Sequence, residues 1–247
     1  MDSEQVADGI HRIGRAHTNC YLVQDGRHLT LVDAGLPSMW EQTMRVIAGL
    51  GHAPEDVRAL LLTHAHFDHI GFAARAQRTL RIPVWVHEMD AFLAAHPYRY
   101  KPERNRFLYP LRYPRSVPIL LGMTRAGALN VRGVEGVRSY GQATELDVPG
   151  HPRPVFTPGH TDGHCALHFP DRDVVVTGDA LVTLDPYTAR TGPQVVARAA
   201  TTHPDRALDA LDALAATGAG VALPGHGEPW NDGIARAVEI ARRQGIR

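Results

Sequence analysis

Cysteine is scarce in this chain of 247 residues, which contains only Cys20 and Cys165. Two thiols cannot form the disulfide framework that supports many small secreted domains, and so low a content fits a reducing compartment. Cys165 lies five residues after His160, and we interpret it as a buried structural thiol. We therefore expect a cytoplasmic protein.

Long apolar runs and an excess of charge of one sign are also absent. No stretch approaches the roughly 20 apolar residues that a membrane span requires, and residues 1–5 lack the features of a signal peptide. The 26 basic and 26 acidic residues cancel to a net charge of zero, whereas nucleic-acid-binding domains normally carry an excess of Lys and Arg. We therefore expect a small-molecule substrate, with no nucleic-acid partner and no membrane; the oligomeric state stays open.

The length and the hydrophobic content of 44% suit a single α/β domain over residues 1–247. Apolar and turn patterns predict strands near 9–15, 18–24, 28–33, 57–62, 83–86, 144–148, 154–157, 165–169, 173–177 and 220–223. They predict helices near 38–50, 71–80, 87–95, 204–216 and 231–244. Groups of strands with helices between them indicate two sheets packed face to face with helices outside, a four-layer αββα sandwich.

Histidine, in contrast, is abundant, and several copies lie close together. The segment 63–71 reads THAHFDHIG, which places His64, His66, Asp68 and His69 within six positions. A short apolar run precedes this segment and a helix-like stretch follows it, so the cluster lies on a strand-to-helix loop. Three imidazoles and a carboxylate at this spacing indicate ligands for a metal ion, or for a pair of ions. A surface loop that is merely rich in His is the weaker interpretation.

Three later segments share one layout, in which a short apolar strand is followed by a glycine turn and a side chain able to bind a metal. They end in His160 (TPGH), Asp179 (TGD) and His226 (PGH). Glycine permits positive φ angles and close backbone approach, so the ligand can point back over the end of its strand. Each segment alone is weak, but together with the first cluster they provide enough ligands for two ions.

The order of these residues resembles the five motifs of the metallo-β-lactamase superfamily over about residues 8 to 230. The resemblance implies the αββα sandwich and the following ligands: His64, His66 and His160 for one ion, Asp68, His69 and His226 for the second, and Asp179 between them. It also implies that Asp33, in the first motif, orients the site. Nitrogen and oxygen donors suit two Zn²⁺ ions, although Mn²⁺ or Fe²⁺ can occupy similar sites.

The bridging Asp179 separates branches of that superfamily, because it resembles glyoxalase II, lactonases and ribonuclease Z, whereas most true metallo-β-lactamases lack it. The resemblance implies a hydrolase that cleaves an ester, thioester or lactone carbonyl with a metal-bridging hydroxide. Asp68 is the expected catalytic residue, since it can orient the nucleophile and relay a proton to the leaving group. A phosphodiesterase or nuclease like ribonuclease Z, a mononuclear iron persulfide dioxygenase and a β-lactamase remain as alternatives.

Residues 96–143 form an insertion between the second and third motifs. Between residues 97 and 138 it has nine Lys or Arg against two Glu, a local net charge of +7. Four tyrosines lie in its first half: Tyr98, Tyr100, Tyr109 and Tyr113. Since the equivalent insertion often covers the metal site in this superfamily, we interpret it as a cationic lid for an anionic acyl substrate. An outer packing loop is the alternative, and the roles of His164 and Tyr187 stay open.

Overall fold

Two β-sheets packed face to face form the centre of the computed structural model, which describes residues 3–141 and 143–247. Met1, Asp2 and Gln142, which belong to the start of the chain and to the insertion, lie outside the described residues. The strands are β1 (Glu4–Ala7), β2 (Ile10–Arg15), β3 (Thr18–Asp25), β4 (His28–Val32), β5 (Val57–Leu61), β6 (Val84–Val86), β7 (Arg138–Ser139), β8 (Arg153–Phe156), β9 (Cys165–Phe169), β10 (Val174–Gly178), β11 (Val182–Leu184), β12 (Thr191–Gln194) and β13 (Val221–Pro224). The helices are α1 (Trp40–Gly49), α2 (Ala73–Leu80), α3 (Ala91–Ala95), α4 (Tyr109–Arg112), α5 (Val117–Arg125), α6 (Pro204–Asp209), α7 (Leu211–Ala215) and α8 (Ile234–Gln244). Short 3₁₀ turns lie at Pro37–Met39, Pro54–Asp56, Glu88–Asp90, Arg106–Leu108, Pro114–Ser116 and Pro170–Arg172.

The first sheet contains β1 to β7 in chain order, with antiparallel pairing from β1 to β4 and parallel pairing from β4 to β7. The second sheet has the order β13-β10-β9-β8, in which β10 and β13 are parallel. Strands β11 and β12 pair in a separate ribbon. Since β4, β5, β10 and β13 each have a parallel neighbour, their carboxyl ends can lie at one edge of the sandwich.

Three apolar cores account for the four layers predicted from the sequence. One core lies between the sheets and contains Tyr21 and Leu61 from the first sheet with Leu167 and Val176 from the second. A second core joins the outer face of the first sheet to α1, α2 and α5. A third joins the outer face of the second sheet to α6, α7 and α8. The αββα sandwich is therefore confirmed.

The strand predicted near 144–148 is wrong. Among the described residues of this stretch, the backbone bends and pairs with no other strand, and Leu146 N–H donates to Pro152 O at 2.9 Å. Leu146 and Val148 are buried while Glu145 and Asp147 are exposed, so the residues alternate in burial as they would in a strand. The alternation here comes from a bent segment whose apolar side chains enter the core between the sheets.

Other elements differ in extent from the predictions. The helix expected near 204–216 is divided into α6 and α7, and the one expected near 87–95 consists of a 3₁₀ turn followed by α3.

Within the insertion, α5 buries Ile119 and Met123, which lie four residues apart on one face and pack into the core beside α1. No helix among the described residues is long and apolar enough to cross a membrane.

Candidate metal centre

The loop after β5 carries four of the seven side chains expected to bind metal. His64, His66, Asp68 and His69 are all buried, with at most 7% of each residue exposed. The backbone N–H of His69 donates to His66 O at 2.9 Å, which closes a tight turn before α2. This turn brings the rings of His64 and His69 to a centroid distance of 4.2 Å. The first motif therefore folds into a compact group of donor atoms.

The second sheet contributes the remaining side chains from the ends of its strands. His160 follows β8, Asp179 follows β10 and His226 follows β13. Asp179 Oδ2 lies 3.4 Å from His160 Nε2 and 3.4 Å from His226 Nε2, and Asp179 Oδ1 lies 3.4 Å from His69 Nε2. Asp179 is therefore central to the seven residues, which we call the donor cluster: His64, His66, Asp68, His69, His160, Asp179 and His226.

Three groups within the donor cluster have ligand atoms within 4.8 Å of one another. They are His64 with His66 and His160, His64 with His69 and Asp179, and Asp68 with His69 and His226. For a tetrahedral ion with ligands at 2.0–2.1 Å, neighbouring donor atoms lie about 3.3–3.4 Å apart. The distances around Asp179 and the 3.3 Å between His226 Nε2 and Asp68 Oδ2 match this spacing.

Several donor atoms are buried and make no hydrogen bond within the described part of the chain: Nε2 of His64, His66, His69 and His160, and Oδ1 of Asp179. Buried polar atoms normally have a partner, because an unpaired one costs roughly 1–3 kcal/mol. Five such atoms at one place, all facing the same small volume, fit a divalent cation bound by nitrogen and oxygen. The residues present therefore fit a metal centre.

The charges of the donor cluster also favour cations. Burial lowers the pKa of His66 to about 3 and that of His160 to about 3, so both imidazoles are neutral, as metal ligation requires. Burial also disfavours a charged His226, but Asp179 and Asp68 outweigh it and raise the pKa of His226 to about 10. The negative charge that favours a proton on this ring also favours a metal cation beside it.

Four imidazoles of the donor cluster have a partner for the ring nitrogen that faces away from it. Nδ1 of His69 lies 2.9 Å from Asp33 Oδ2, and Nδ1 of His226 lies 2.8 Å from His17 O. Nδ1 of His64 lies 3.1 Å from Thr63 Oγ1, and Nδ1 of His160 lies 3.3 Å from Thr201 Oγ1. Because a carbonyl or carboxylate oxygen can only accept, Nδ1 of His226 and of His69 must carry a proton. This contact fixes the ring so that Nε2 faces the cluster.

Asp33 connects the end of β4 to the loop after β5. Its carboxylate accepts hydrogen bonds from the Thr63 N–H at 2.8 Å and from the Thr63 hydroxyl at 2.8 Å, and it contacts His69 as described above. Its backbone has a φ of 60°, a left-handed conformation that Asp tolerates better than most residues. This geometry agrees with the orienting role that the sequence resemblance implies.

Glycine is required at two turns beside the donor cluster. A Cβ atom on Gly225 would overlap Asp179 Oδ1 and lie 2.6 Å from His69 Cε1. Gly178 has a φ of +50°, and a Cβ atom there would lie 2.6 Å from Thr63 Oγ1. Both turns therefore need a residue without a side chain, which supports the role that the sequence assigned to glycine.

Asp90 is a functional candidate that the sequence did not reveal. It is 1% exposed, and its Oδ2 accepts hydrogen bonds from the Ala65 N–H at 3.1 Å and the Thr161 hydroxyl at 2.7 Å. Its Oδ1 accepts one from the Gly163 N–H at 2.8 Å. Burial raises the pKa of Asp90, and these three donors partly offset that effect. One carboxylate thus ties the loop of His64 and His66 to the loop that carries His160.

His164 has both ring nitrogens engaged. Nε2 accepts the backbone N–H of Asp179 at 3.0 Å, so Nδ1 carries the proton and donates it to Thr157 Oγ1 at 2.8 Å. Burial lowers the pKa of His164, which keeps the ring neutral and suited to this pair of contacts. His164 therefore positions the backbone of Asp179 and has no nitrogen left for a substrate.

Aromatic residues cover the donor cluster. The ring of Tyr100, from the insertion, lies 4.0 Å from the ring of His66 by centroids, and the Arg106 guanidinium lies 4.3 Å from the Tyr100 centroid. The Arg106 guanidinium donates to the Tyr100 hydroxyl at 2.5 Å, and Tyr187 lines the same small cavity as Tyr100. These tyrosines, with Phe67, enclose a cavity of only about 10 Å³ beside Asp68 and Asp179. That volume holds about one water molecule.

Comparison with known proteins identifies the family to which this chain belongs. The family model of the metallo-beta-lactamase superfamily matches residues 13–226. The probable metallo-hydrolase YflN from Bacillus subtilis is 30% identical over 193 residues, which are 73% of this chain and 67% of that relative. Among solved structures, a metallo-beta-lactamase family protein from Thermus thermophilus has a TM-score of 0.67 at 26% identity. That match covers 96% of this chain and 79% of the other.

Proposed function

Because the chain belongs to the metallo-beta-lactamase superfamily and is a metal-dependent hydrolase, we propose that it cleaves an ester, thioester or lactone carbonyl. In this proposal His64, His66 and His160 hold one divalent ion, Asp68, His69 and His226 hold the second, and Asp179 lies between them. Zinc is the proposed ion, since the donor spacing matches a tetrahedral site. When bound, such ions polarise a carbonyl oxygen and lower the pKa of water from 15.7 to roughly 7.

The observation that carries this proposal is the mostly aromatic and aliphatic composition of the enclosure over the donor cluster. Its wall contains Phe67, Tyr100, Pro186, Tyr187, Val196 and Ala200. Such a wall suits a compact acyl group, whereas a nucleic-acid strand needs an open, basic groove along which its backbone can lie. The enclosure therefore favours a carbonyl substrate over the phosphodiester of a ribonuclease Z-like enzyme.

Asp68 is the proposed proton carrier. It is buried, and burial alone would raise the pKa of its carboxyl, but contacts with His226 and His69 lower it below its usual value. The carboxylate is therefore ionised at neutral pH and can accept a proton from the attacking water molecule. It can then deliver that proton to the leaving group, because it lies at the wall of the cavity that the scissile bond would occupy.

Tyr100 and Tyr187 are the proposed donors to the substrate. Burial raises the pKa of Tyr100 well above its usual value and raises that of Tyr187 to about 12, so both phenols keep their protons at neutral pH. A neutral hydroxyl beside the donor cluster can donate a hydrogen bond to a carbonyl or carboxylate oxygen. The Tyr100 hydroxyl already accepts a hydrogen bond from the Arg106 guanidinium at 2.5 Å, so its own O–H is the group that would donate to a substrate oxygen.

The insertion is proposed to act as the lid of this site. A cavity of about 10 Å³ cannot admit an acyl compound, so the cover must move before a substrate binds. Tyr100 also lines a second cavity of about 500 Å³ together with Phe92 and Leu93. Displacement of this one ring would join the two spaces and give the substrate a route to the donor cluster.

A panel of substrates tests the proposal. Zinc-loaded protein is assayed with thioesters, lactones, phosphodiesters and β-lactams at matched concentrations, and metal content is measured on the same sample. We expect turnover of at least one carbonyl ester, thioester or lactone and loss of that turnover after chelation. Hydrolysis confined to phosphodiesters would assign the site to the ribonuclease Z-like alternative instead.

A further inference from the structure

A separate, strongly cationic cavity lies where the insertion meets the body of the protein. It has a volume of about 540 Å³, and its wall includes Arg104, Arg112, Arg198, Tyr109 and Tyr113. Arg104 and Arg112 belong to the insertion, whereas Arg198 follows β12 in the body. The backbone N–H of Arg104 donates to Arg198 O at 3.0 Å, so the two parts are joined at the cavity itself.

The positive charge of this cavity is only partly compensated. Arg198 pairs with Glu103 at 2.5 Å, while in the described part of the chain the side chain of Arg112 donates only to the hydroxyl of Tyr113, at 3.2 Å. Within the described residues, the side chain of Arg104 makes no ion pair or hydrogen bond. The described residues that line the cavity include no acidic side chain. Guanidinium groups gathered in this way attract anions, and their planar forks match phosphate oxygens in pairs.

This cavity is close to the donor cluster, although it does not open into it. The ring of Tyr109 lines the cavity and lies 6.3 Å, by centroids, from the ring of Tyr187. Tyr187 in turn lines the enclosure beside Asp68 and Asp179. The rings of Tyr109 and Tyr187 therefore separate the cationic cavity from the proposed catalytic centre, so one substrate can reach both only when the cover of the enclosure moves.

We propose that the cationic cavity binds a phosphate-bearing group of nucleotide size, carried by the substrate's leaving group. Four arginines line the cavity (Arg104, Arg112, Arg198 and Arg247), more guanidiniums than a single carboxylate needs, and a volume of about 540 Å³ lies within the range of cavities that bind small organic ligands. The partly exposed ring of Tyr113 adds a surface against which a planar base can pack. The anion site follows from the cavity alone, whereas its assignment to a leaving group rests on the proposed hydrolase function.

Direct binding tests the anion site without turnover. Adenosine 3′,5′-bisphosphate is titrated calorimetrically into zinc-loaded protein at low salt, because exposed charges are screened within about 8–10 Å at ordinary ionic strength. This ligand is far too large for the closed enclosure over the donor cluster. We expect saturable binding that weakens about tenfold or more in Arg104→Ala/Arg198→Ala, since charge-assisted hydrogen bonds are lost.

The matched control removes the same amount of positive charge, in this case entirely from the insertion. Arg115→Ala/Arg125→Ala changes two exposed arginines that do not line the cavity, and its affinity should stay within about twofold of the wild type. Arg104→Glu serves as a second variant, because this exposed side chain makes no described ion pair and its replacement leaves the core intact. Equal loss of binding in the control and in the cavity variants would overturn the site. Wild-type protein that shows no saturable binding would overturn it as well.

A kinetic comparison connects the anion site to the substrate. Two thioesters with the same acyl group, one whose thiol carries terminal phosphates and one whose thiol lacks them, are compared for the wild type and Arg104→Glu. We expect the variant to raise KM about tenfold for the phosphorylated thioester alone, with kcat unchanged, because binding remote from the reacting bond is uniform. Equal KM values for both thioesters in the wild type would contradict the assignment to the leaving group.

The two proposals can fail separately. Protein that binds the bisphosphate through Arg104 and Arg198 but hydrolyses no ester, thioester or lactone would keep the anion site and remove the hydrolase assignment. Protein that hydrolyses such substrates with no effect of either arginine would do the reverse. If succinate competes as effectively as the bisphosphate, the site binds carboxylates as well as it binds phosphates, and this result would contradict the proposed ligand class.

Discussion

Asp68 is a carboxylate able to bind a metal, and it also faces the enclosure over the donor cluster. We predict that Asp68→Asn lowers kcat by about 100-fold or more, since the amide keeps the shape but cannot accept a proton at neutral pH. Turnover, zinc content and thermal stability are measured together. Asp171→Asn, on an exposed turn, is the control and should behave as wild type. Full zinc content with wild-type turnover in Asp68→Asn would exclude Asp68 from the mechanism.

Asp90 acts on the site through the residues that it holds in place, namely Ala65, Thr161 and Gly163. We predict that Asp90→Asn weakens zinc affinity by about 10–100-fold, the scale seen when a group that orients metal ligands is removed. The reason is that the amide would turn an N–H toward the N–H of Ala65 or of Gly163, where the carboxylate now accepts. Zinc affinity is measured by competition with a chromogenic chelator.

The control for Asp90 separates positioning from general stability. Asp209→Asn lies on an exposed face of α6 and should leave both zinc affinity and the melting temperature unchanged. In Asp90→Asn the melting temperature should also fall, by about 2–4 °C for each kcal/mol lost. A lower melting temperature with unaltered zinc affinity would show that Asp90 is only a structural residue.

At the scale of elements, the insertion is the part that controls access. We predict that Tyr100→Ala speeds the removal of bound metal by a chelator about tenfold, because the variant opens the enclosure beside His66. The rate is followed by stopped-flow absorbance with an excess of chelator. Tyr113→Ala, in the same insertion but facing the cationic cavity, should release metal at the wild-type rate. The same rate in both variants would mean that Tyr100 does not limit access.

The strand ends were the elements most readily predicted from the sequence. His160, Asp179 and His226 each follow a short apolar strand and a glycine turn, and all of that information is local. The short edge strand β7 and the ribbon of β11 and β12 were missed, because their few residues show no alternation strong enough to mark a strand. Their pairing depends on neighbours distant in the chain.

The insertion shows the limit of such predictions. Its charge and tyrosine content were visible in the sequence, but its arginines serve different places: Arg106 lies over Tyr100 beside the donor cluster, whereas Arg104 and Arg112 face the outer cavity. The composition of a segment does not indicate where each of its side chains points. Asp90 was missed for the same reason, because its partners Ala65 and Gly163 lie far away in the sequence and come together only in the folded chain.

At the scale of the whole molecule, the proposed ions would connect the two sheets. Protein saturated with zinc should contain about two equivalents per chain, because the donor cluster divides into two sets of ligands. Elemental analysis checks this number. His226→Ala should reduce it toward one equivalent, while His203→Ala, whose ring contacts Asp162 and does not belong to the donor cluster, should not. One equivalent in the saturated wild type would favour the mononuclear dioxygenase alternative.

Metal removal should also weaken the fold. A ligand at 1,000 times its dissociation constant adds about 4 kcal/mol to the free energy of unfolding, and each kcal/mol corresponds to about 2–4 °C in a protein of this size. We therefore predict that chelation lowers the melting temperature by about 8–16 °C, and that added zinc restores it. Calorimetry of the two forms provides the measurement, and an unchanged melting temperature would contradict a link between the sheets.

The division of the donor cluster between the sheets also has a consequence for biosynthesis. Four donors precede residue 70 and three follow residue 159, with His226 directly after the last strand, β13. A chain still emerging from the ribosome can assemble the first sheet, yet it holds only part of the proposed coordination sphere until β13 joins β10. Metal capture would then be among the last events in the maturation of this protein. A product of premature termination would keep much of the scaffold and have no working catalytic centre.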